Sequence, residues 1–439
     1  MSIHAQHYTR YTESATLLQR ALKVIPGAAN SWTRWTDFSI SPARARGARL
    51  WDVDGHQYLD CHGAFSAIVL GHAFPAVTQA LTDQARGLVL AGIGRTPGEV
   101  ELAERLVRHI PSAEQALLAP SGSDATYSAI RLARAVTRRD CIVKFAGCFH
   151  GPHDYVLRSA DDASADGAVG PDGVLSAAAR TVITCEYNDL EAVAEAFAGR
   201  GEEIAAVIVE PIAFNASLHP DPGFLDGLRK LTTDHGALLI FDEVITGFRL
   251  GLGGAQAQLG ITPDLTTLGK ALGNGVPVAA LVGSERYMSR FATTPQGTVP
   301  YSGTHNGNGL AVAAANATLG VMEREPVHEH LARLGDRMRA GLREVARNCD
   351  VPAVVTGSSS IYNLLFTGTV PRTFADLLAV DESLFLTYRT EMVRRGVLEM
   401  PLPLMRAQVT YSHTDADVDR ALETAEAALR AARDQVAKP

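Results

Sequence analysis

Apolar residues follow two different periods along the chain, and the periods predict a middle region in which strands and helices alternate. Between about residues 60 and 320, short β-rich runs are each followed by a loop or a helix-like stretch. This alternation favours a largely parallel sheet with helices on both faces, in which functional groups gather at the carboxyl ends of the strands. The predicted strands are QALLAPSG, CIVKFAG, TVITC, AAVIVEP, ALLIFDEV, DLTTLGK and VAALVG.

The patterns on either side of this region differ from it. About residues 15–24 have helical apolar spacing, and LWDVDGHQYLDC has two alternating runs around Asp-Gly, which predicts a hairpin. After about residue 320 come a long charged helix, two strand-like runs and two further helices. We therefore predict an N-terminal segment (1–60) that joins a small domain, a large domain (61–320) and a C-terminal small domain (321–439).

Composition narrows the classes of protein that the chain can represent. With 46% apolar and 20% charged residues over 439 positions, it is a globular chain rather than a disordered one. The net charge of −8 and the lack of a Lys/Arg-dense run argue against nucleic acid or an anionic membrane as a partner. The N-terminal stretch has no apolar run suited to a signal peptide or a span, so a cytoplasmic location is expected. Five scattered cysteines without a CxxC pair predict reduced, mostly buried thiols.

Lys270 lies in an unusual neighbourhood for a lysine. Gly269, Gly273 and Gly275 flank it, and no acidic residue lies within several positions. A desolvated lysine has a lowered pKa, and its free amine can attack carbonyls. Asp242 ends the apolar run ALLIFDEV, so two neighbouring strands can present an acid and an amine to one pocket. Such a pair fits pyridoxal phosphate, with the lysine in a Schiff base and the carboxylate keeping the pyridine nitrogen protonated.

A predicted strand runs into Ser121, Gly122 and Ser123 and then directly into a helical segment. Backbone N–H groups at a helix start, together with two hydroxyls, suit a dianionic phosphate. The alternative is an ordinary helix N-cap, where serine is favoured in any case. No GxxxxGK[ST] pattern is present, which argues against a nucleotide P-loop.

The segment KFAGCFHGPHD (144–154) allows two interpretations. Phe149 lies just beyond a strand end, where its ring can stack on a flat pyridine, or it is an ordinary partly buried loop residue. His150, His153 and Asp154 have HxxHD spacing and are candidate metal ligands, which makes a metal-dependent hydrolase a remote alternative function. Nothing elsewhere in the sequence completes a recognisable zinc or di-iron set.

Six blocks, in order, resemble one known family. They are SGS at 121–123, FHG at 149–151, EPIAFN at 210–215, DEVITGFR at 242–249, GKALGNGVPVAALVG at 269–283 and GTHNGNG at 303–309. Together they resemble the class-III (subgroup II) aminotransferases of fold type I, in the glutamate-1-semialdehyde 2,1-aminomutase-like branch. The resemblance implies an α/β fold, with a large mostly parallel-sheet domain that binds pyridoxal 5'-phosphate and a smaller α+β domain from the N- and C-terminal segments.

The resemblance also implies roles for individual residues. Lys270 and Asp242 match the catalytic pair, Phe149 and Val244 match residues on the two faces of the cofactor ring, and Thr304 matches a residue that reaches the phosphate of the neighbouring subunit. A homodimer with shared active sites follows. The implied cofactor-binding residues are Ser121, Gly122, Ser123, Phe149, His150, Glu210, Asn215, Asp242, Val244, Lys270 and Thr304.

Two departures from the mutase pattern bear on the reaction. Met405 or Arg406 stands where an acid is expected, and the gating loop after the FHG block is replaced by RSADDASADG at 158–167. An arginine there suggests a substrate carboxylate bound as a bidentate fork, and Arg34 is a second candidate by similarity to β-amino-acid aminotransferases.

We therefore predict an aminotransferase that moves an amino group from a small-molecule amino acid or amine to a keto acid or aldehyde. Intramolecular transfer of the mutase type and a catalytically silent homologue that serves as a binding module are the alternatives within the family.

Overall fold

A short antiparallel unit precedes the main sheet in the computed structural model, which describes residues 11–34, 40–157, 173–214 and 218–436. Helix α1 begins and ends three residues earlier than the apolar spacing indicated. The predicted hairpin is confirmed, since β2 and β3 pair antiparallel across the Asp-Gly turn. The elements are α1 (Thr12–Ala21), β1 (Pro42–Arg46), β2 (Arg49–Asp52) and β3 (Gln57–Asp60).

Strands and helices then alternate, and a strand coincides with each of the seven predicted runs. Local signals set several boundaries: for example, Thr96 and Glu99 form a capping box at the start of α3, with Pro97 in its first turn. In chain order the elements are α2 (Pro75–Ala85), α3 (Pro97–His109), β4 (Gln115–Ala119), α4 (Gly122–Thr137), β5 (Cys141–Phe145), α5 (Ser176–Ala179), β6 (Val182–Cys185), α6 (Leu190–Arg200), β7 (Ile204–Val209), α7 (Phe224–Asp234), β8 (Leu238–Glu243), α8 (Gly254–Leu259), β9 (Leu265–Leu268), β10 (Ala279–Gly283), α9 (Glu285–Met288) and α10 (Gly309–Arg324).

Seven of these strands form one sheet in the order β4-β10-β9-β8-β7-β5-β6. From β9 to β6 each neighbouring pair is parallel, whereas β10 runs antiparallel to both β4 and β9. The prediction of a largely parallel sheet is confirmed, with one reversed strand. Strands β7 and β8 are buried along their whole length, as expected for central strands covered on both faces.

The C-terminal part returns to the start of the chain. Strand β13 (Val397–Leu398) pairs in parallel with β3, so a four-stranded sheet, β1-β2-β3-β13, joins strands from the N-terminal and C-terminal parts of the chain. The division of the chain at residues 60 and 320 stays a prediction. The elements here are α11 (Val327–Asn348), β11 (Val354–Thr356), β12 (Ile361–Leu365), α12 (Glu382–Arg394), β13 (Val397–Leu398), β14 (Ala407–Gln408) and α13 (Asp415–Val436).

Three further features are the state of the cysteines, the lack of a membrane-spanning helix in the described ranges and a turn of unusual backbone geometry. All five cysteines are free and buried. Within the described ranges, no helix has both the length and the apolarity needed to cross a bilayer. A left-handed turn, Gly63–Ser66, follows β3, and three successive non-glycine residues in it, Ala64, Phe65 and Ser66, have positive φ.

Candidate active site

A cavity of about 320 Å³ lies where the carboxyl ends of β4, β5, β8 and β9 meet. This is the edge of the sheet at which the sequence predicts functional groups. Eight of the predicted site residues line it: Ser121, Gly122, Ser123, Phe149, His150, Asp242, Val244 and Lys270.

Asp242 is buried at the end of β8 and is held by three donors. Its Oδ2 lies 2.7 Å from Nδ1 of His150, and its Oδ1 accepts hydrogen bonds of 3.1 Å from the Thr267 hydroxyl and from the Val244 backbone N–H. The next residue, Glu243, points to the opposite face because side chains alternate along a strand. There its carboxylate accepts hydrogen bonds from the Thr246 hydroxyl and from the backbone and side-chain N–H groups of Gln256, in the first turn of α8. Of this acidic pair, only Asp242 faces the cavity.

Lys270 reaches the same cavity from the neighbouring strand. Strands β8 and β9 are adjacent and parallel, with Asp242 opposite Thr267, and Lys270 follows β9 after Gly269. Its backbone φ is +43°, in the left-handed region that non-glycine residues rarely adopt, which is typical of functional positions. Burial is the first cause that lowers the pKa of the Lys270 amine, to about 7, and the charge of Arg406 is the second. A substantial fraction of the amine is therefore neutral near pH 7.

The structure at the start of α4 is compatible with both interpretations of residues 121–123, an N-cap and a phosphate site. Ser121 is an N-cap, because its hydroxyl accepts a hydrogen bond of 3.2 Å from the Asp124 N–H. Gly122 packs closely on Val244, and a Cβ at this position would lie 2.9 Å from a Val244 methyl carbon. Gly122, Ser123 and the N-terminus of a 16-residue helix remain facing the cavity, and that end of a helix favours an anion.

Phe149 and His150 line another wall, and Glu210 contacts the backbone of Phe149 without lining the cavity. The Phe149 backbone N–H donates to Glu210 Oε1 at 2.8 Å, while the Phe149 side chain stays 49% exposed. Burial, and next the nearby Asp242 carboxylate, raise the pKa of Glu210. His150 is fully buried, and among the described residues its Nε2 has no hydrogen-bond partner. Its other nitrogen orients the Asp242 carboxylate.

The HxxHD residues do not gather around a common point. His150 contacts Asp242, His153 Nε2 lies 3.2 Å from the Thr126 hydroxyl, and Asp154 accepts a hydrogen bond from Leu175 N–H. In the described part of the chain, the group of side chains close enough to share a metal ion lies elsewhere, at Asp52, Asp54 and His56. The geometry therefore gives no support to the hydrolase alternative.

Two arginines that lie outside the cavity lining hold the turn behind it. Arg406, which is 1% exposed, donates from Nε to Ser66 Oγ at 2.8 Å and from Nη2 to the Phe65 carbonyl at 2.9 Å. Arg249 donates to the Ser66 and Ile68 carbonyls at 2.8 and 3.1 Å. Left-handed backbone costs about 1–2 kcal/mol for each non-glycine residue, and these bonds offset part of that cost. Sequence reasoning missed Arg249, although it lies inside the block DEVITGFR.

The remaining predicted residues lie apart from the cavity or cannot be placed. Arg34 is exposed and lines a second cavity, on the other side of the left-handed turn. Thr304 is exposed in a turn before α10 and does not line the 320 Å³ cavity. Asn215 and the predicted gating stretch 158–167 lie outside the described residues.

The arrangement joins a partly neutral amine, a buried carboxylate oriented by three donors, an exposed aromatic ring and a helix N-terminus around one cavity. It suits a flat, electron-withdrawing aldehyde that carries a phosphate, since each of these groups has a matching part on such a molecule. The buried Nε2 of His150, which lacks a hydrogen-bond partner among the described residues, leaves a polar contact for a bound group at this wall.

Comparison with known proteins gives matches over nearly the whole chain. The family model for aminotransferase class-III matches residues 32–429. A glutamate-1-semialdehyde 2,1-aminomutase from Desulfitobacterium hafniense (strain Y51) is 41% identical over 417 residues, which cover 94% of this chain and 96% of that protein.

Solved structures agree with these matches. An omega-transaminase from Sphaerobacter thermophilus superposes with a TM-score of 0.89 at 33% identity, covering 96% of this chain and 98% of its own. A glutamate-1-semialdehyde aminomutase from Pseudomonas aeruginosa PAO1, solved in complex with PMP, gives 0.88 at 28% identity, covering 97% and 96%. These likenesses confirm the predicted α/β fold class.

Proposed function

The chain belongs to the class-III aminotransferase family, and from that premise we propose that it moves an amino group from an amino acid or amine to a separate keto acid or aldehyde. Its cofactor is pyridoxal 5'-phosphate. The observation that carries the proposal is the presence, in one cavity, of Lys270 with a pKa near 7 and of the buried Asp242 carboxylate.

The described residues fit this cofactor. When bound, pyridoxal 5'-phosphate supplies an aldehyde that takes up the amino group and a ring that draws electrons from the substrate. Asp242, oriented by His150 and Thr267, would keep the ring nitrogen protonated. Phe149 and Val244, which line the cavity, would hold the ring, and the helix start at Gly122 and Ser123 would hold the phosphate.

Lys270 does the work of covalent attachment and proton transfer. Its neutral amine would hold the cofactor through the aldehyde carbon, with loss of water, until an incoming amine replaces it; it would then take the proton from the substrate carbon that bears the amino group and deliver it to the former aldehyde carbon. A base for this task works best with a pKa near the working pH, and burial brings the pKa of Lys270 to about 7.

We expect the rate at which the cofactor-free protein captures pyridoxal 5'-phosphate to rise with pH through about 7 and to level off above it. The pKa of Lys270 is lowered, so the ammonium form, which cannot attack the aldehyde, predominates only below that value. Stopped-flow absorbance over pH 5.5–9.5 measures the profile. A rate that still rises about tenfold per pH unit up to pH 9.5, as expected for a lysine with the ordinary pKa of about 10.4, would contradict the assignment.

The proposal also includes a homodimer and roles for two arginines. Thr304, exposed before α10, would reach the phosphate bound by a second copy of the chain in a homodimer. Arg34 and Arg406 are the two arginines that the sequence predicts as carboxylate contacts. Arg34 offers its guanidinium at the second cavity. Arg406 is 1% exposed and lies outside the lining of both cavities, so it does not face a substrate directly, and its donation to Phe65 and Ser66 gives it a positioning role at the turn.

Intramolecular transfer is the second candidate function, and the 41% identity to a protein named glutamate-1-semialdehyde 2,1-aminomutase favours it. Against it stand Met405 and Arg406, where the mutase pattern leads us to expect an acid.

Isotope transfer decides between the two. We expect ¹⁵N from a labelled amino donor to appear in the amino acid or amine formed from a chemically different keto acid or aldehyde, as mass spectrometry of the products would show. The matched experiment supplies glutamate-1-semialdehyde alone. Conversion of that compound with the label retained in the same molecule, and no transfer to any added acceptor, would refute the aminotransferase proposal in favour of the mutase.

A further inference from the structure

The loop that carries Lys270 ends at an asparagine with the same unusual backbone. Lys270–Gly273 form one turn of 3-10 helix after β9, and the Asn274 backbone N–H closes it by donating to the Ala271 carbonyl at 3.3 Å. The φ of Asn274 is +44°, next to +43° at Lys270, and asparagine is one of the few non-glycine residues that adopt this region. The backbone conformation alone therefore accounts for an asparagine at this turn.

Its side chain, however, is bonded to a distant part of the chain. Asn274 is 7% exposed, and its Oδ1 accepts hydrogen bonds from the Val69 and Leu70 backbone N–H groups at 3.0 and 2.9 Å. Its Nδ2 donates to the Gly71 carbonyl at 3.0 Å. Three of the four hydrogen bonds that an amide side chain can form thus go to one segment of three residues. They join the Lys270 loop to that segment.

The segment 69–71 is itself held from another direction. All three residues are buried, and the first two carbonyls accept hydrogen bonds from the Tyr411 backbone N–H at 2.8 Å and from the Ser412 hydroxyl at 2.7 Å. These donors lie just before α13. Because the segment is fixed on both sides, Asn274 connects the Lys270 loop to a rigid support.

We propose that Asn274 is a positioning residue for Lys270: its side chain fixes the loop against the segment 69–71 and so directs the Lys270 amine into the cavity. The inference rests on the proposed function only in taking Lys270 as the residue that bonds the cofactor. An amine at the end of four rotatable bonds reaches a reactive carbon reproducibly only if its backbone is held in place.

Two forms of the cofactor separate positioning from general stability. Pyridoxal 5'-phosphate and pyridoxamine 5'-phosphate share the ring and the phosphate, but only the aldehyde of the first can bond Nζ of Lys270, with loss of water. Glycine adopts a positive φ freely, so Asn274→Gly removes the three bonds and keeps the backbone. We expect it to weaken pyridoxal phosphate binding by about 10- to 100-fold and pyridoxamine phosphate binding by less than about twofold. Fluorescence titration of the cofactor-free, full-length protein measures both, and equal losses would overturn the proposal.

A double-mutant cycle asks whether Asn274 acts through Lys270. In the Lys270→Ala protein, where no amine is left to position, Asn274→Gly should change the affinity for pyridoxal phosphate by less than about twofold. A loss as large as that in the protein with Lys270 would contradict the proposal.

Asn188 offers a matched control. It also has a positive φ, of +69°, and its side chain also forms three backbone hydrogen bonds, with the His219 and Arg372 carbonyls and the Asp221 N–H. It follows the edge strand β6 and does not line the cavity. Asn188→Gly should lower the thermal unfolding midpoint, as Asn274→Gly does, and leave both cofactor affinities within about twofold. A selective loss of pyridoxal phosphate binding in Asn188→Gly would count against the proposal.

Hydrogen exchange gives a readout that needs no substitution. Coupling between two sites is reciprocal, so bonding of Lys270 to the cofactor should steady the two N–H groups that Asn274 accepts. We expect saturating pyridoxal phosphate to slow deuterium uptake at Val69 and Leu70 more than saturating pyridoxamine phosphate does. Equal protection by the two compounds would overturn the proposal.

The two proposals fail separately. If the protein transfers no amino group from any donor but the two cofactor forms respond to Asn274→Gly as expected, the proposed function fails and the role of Asn274 stands. If the protein transfers amino groups and Asn274→Gly weakens both cofactor forms alike or neither, the positioning role fails.

Discussion

The Lys270→Ala enzyme should lose amino transfer by a factor of about 10³ or more. The substitution removes both the amine that holds the cofactor and the base that moves the substrate proton, and among the lining residues of the first cavity Lys270 is the one that carries an amine. Single-turnover kinetics with a labelled donor would measure the loss. Lys230→Ala, on the exposed face of α7, is the control and should retain full activity.

A Lys270→Ala variant that kept turnover within about tenfold of the original would contradict the assignment. Loss of folding is separable from loss of chemistry by circular dichroism and thermal unfolding. The substitution shortens a side chain at the cavity and removes an amine that forms no ion pair within 4 Å in the described part of the chain, so we expect the variant to fold.

The second large effect is expected for Asp242→Asn, which should lower turnover by about 100-fold or more while the protein still binds the cofactor. Asparagine keeps the size of the side chain and can still accept from Thr267 and the Val244 N–H. It removes the negative charge that keeps the ring nitrogen protonated. Half-reaction rates by stopped-flow absorbance would measure the change.

Asp140→Asn is the matched control for this prediction. Asp140 is exposed directly before β5, at the opposite edge of the sheet from the cavity, and its loss should leave the rate within about twofold. Unchanged half-reaction rates in Asp242→Asn would mean that the negative charge of this carboxylate does not contribute to the reaction. In that case the His150–Asp242 contact would be purely structural.

The fold was largely predictable because its signals are local. Apolar runs of strand length separated by helical spacing predicted all seven strands of the main sheet. The reversal of β10 was not predictable in the same way, since an apolar strand reads alike in both directions and its neighbours β4 and β9 are set by tertiary packing. The pairing of β13 with β3 joins positions more than 300 residues apart, which no local pattern encodes.

At the site, the sequence indicated the residues that lie at strand ends. It did not indicate residues that act by contacting another side chain or the backbone of a turn. Asp242 and Lys270 line one cavity, as the sequence led us to expect, because the apolar runs that precede them form adjacent strands. Aligning those two runs in parallel would also have put Thr267 opposite Asp242. The contact of His150 with Asp242 and the hold of Arg249 on the left-handed turn depend on burial and turn geometry, which residue types alone do not reveal.

Reductive trapping tests the central claim most directly. The chain contains five lysines, Lys23, Lys144, Lys230, Lys270 and Lys438, and they fall in separable peptides. Borohydride treatment of the holoenzyme, followed by proteolysis and mass spectrometry, should find the pyridoxyl mass on the peptide that contains Lys270. A pyridoxyl group on any of the other four lysines, or on none, would contradict the account.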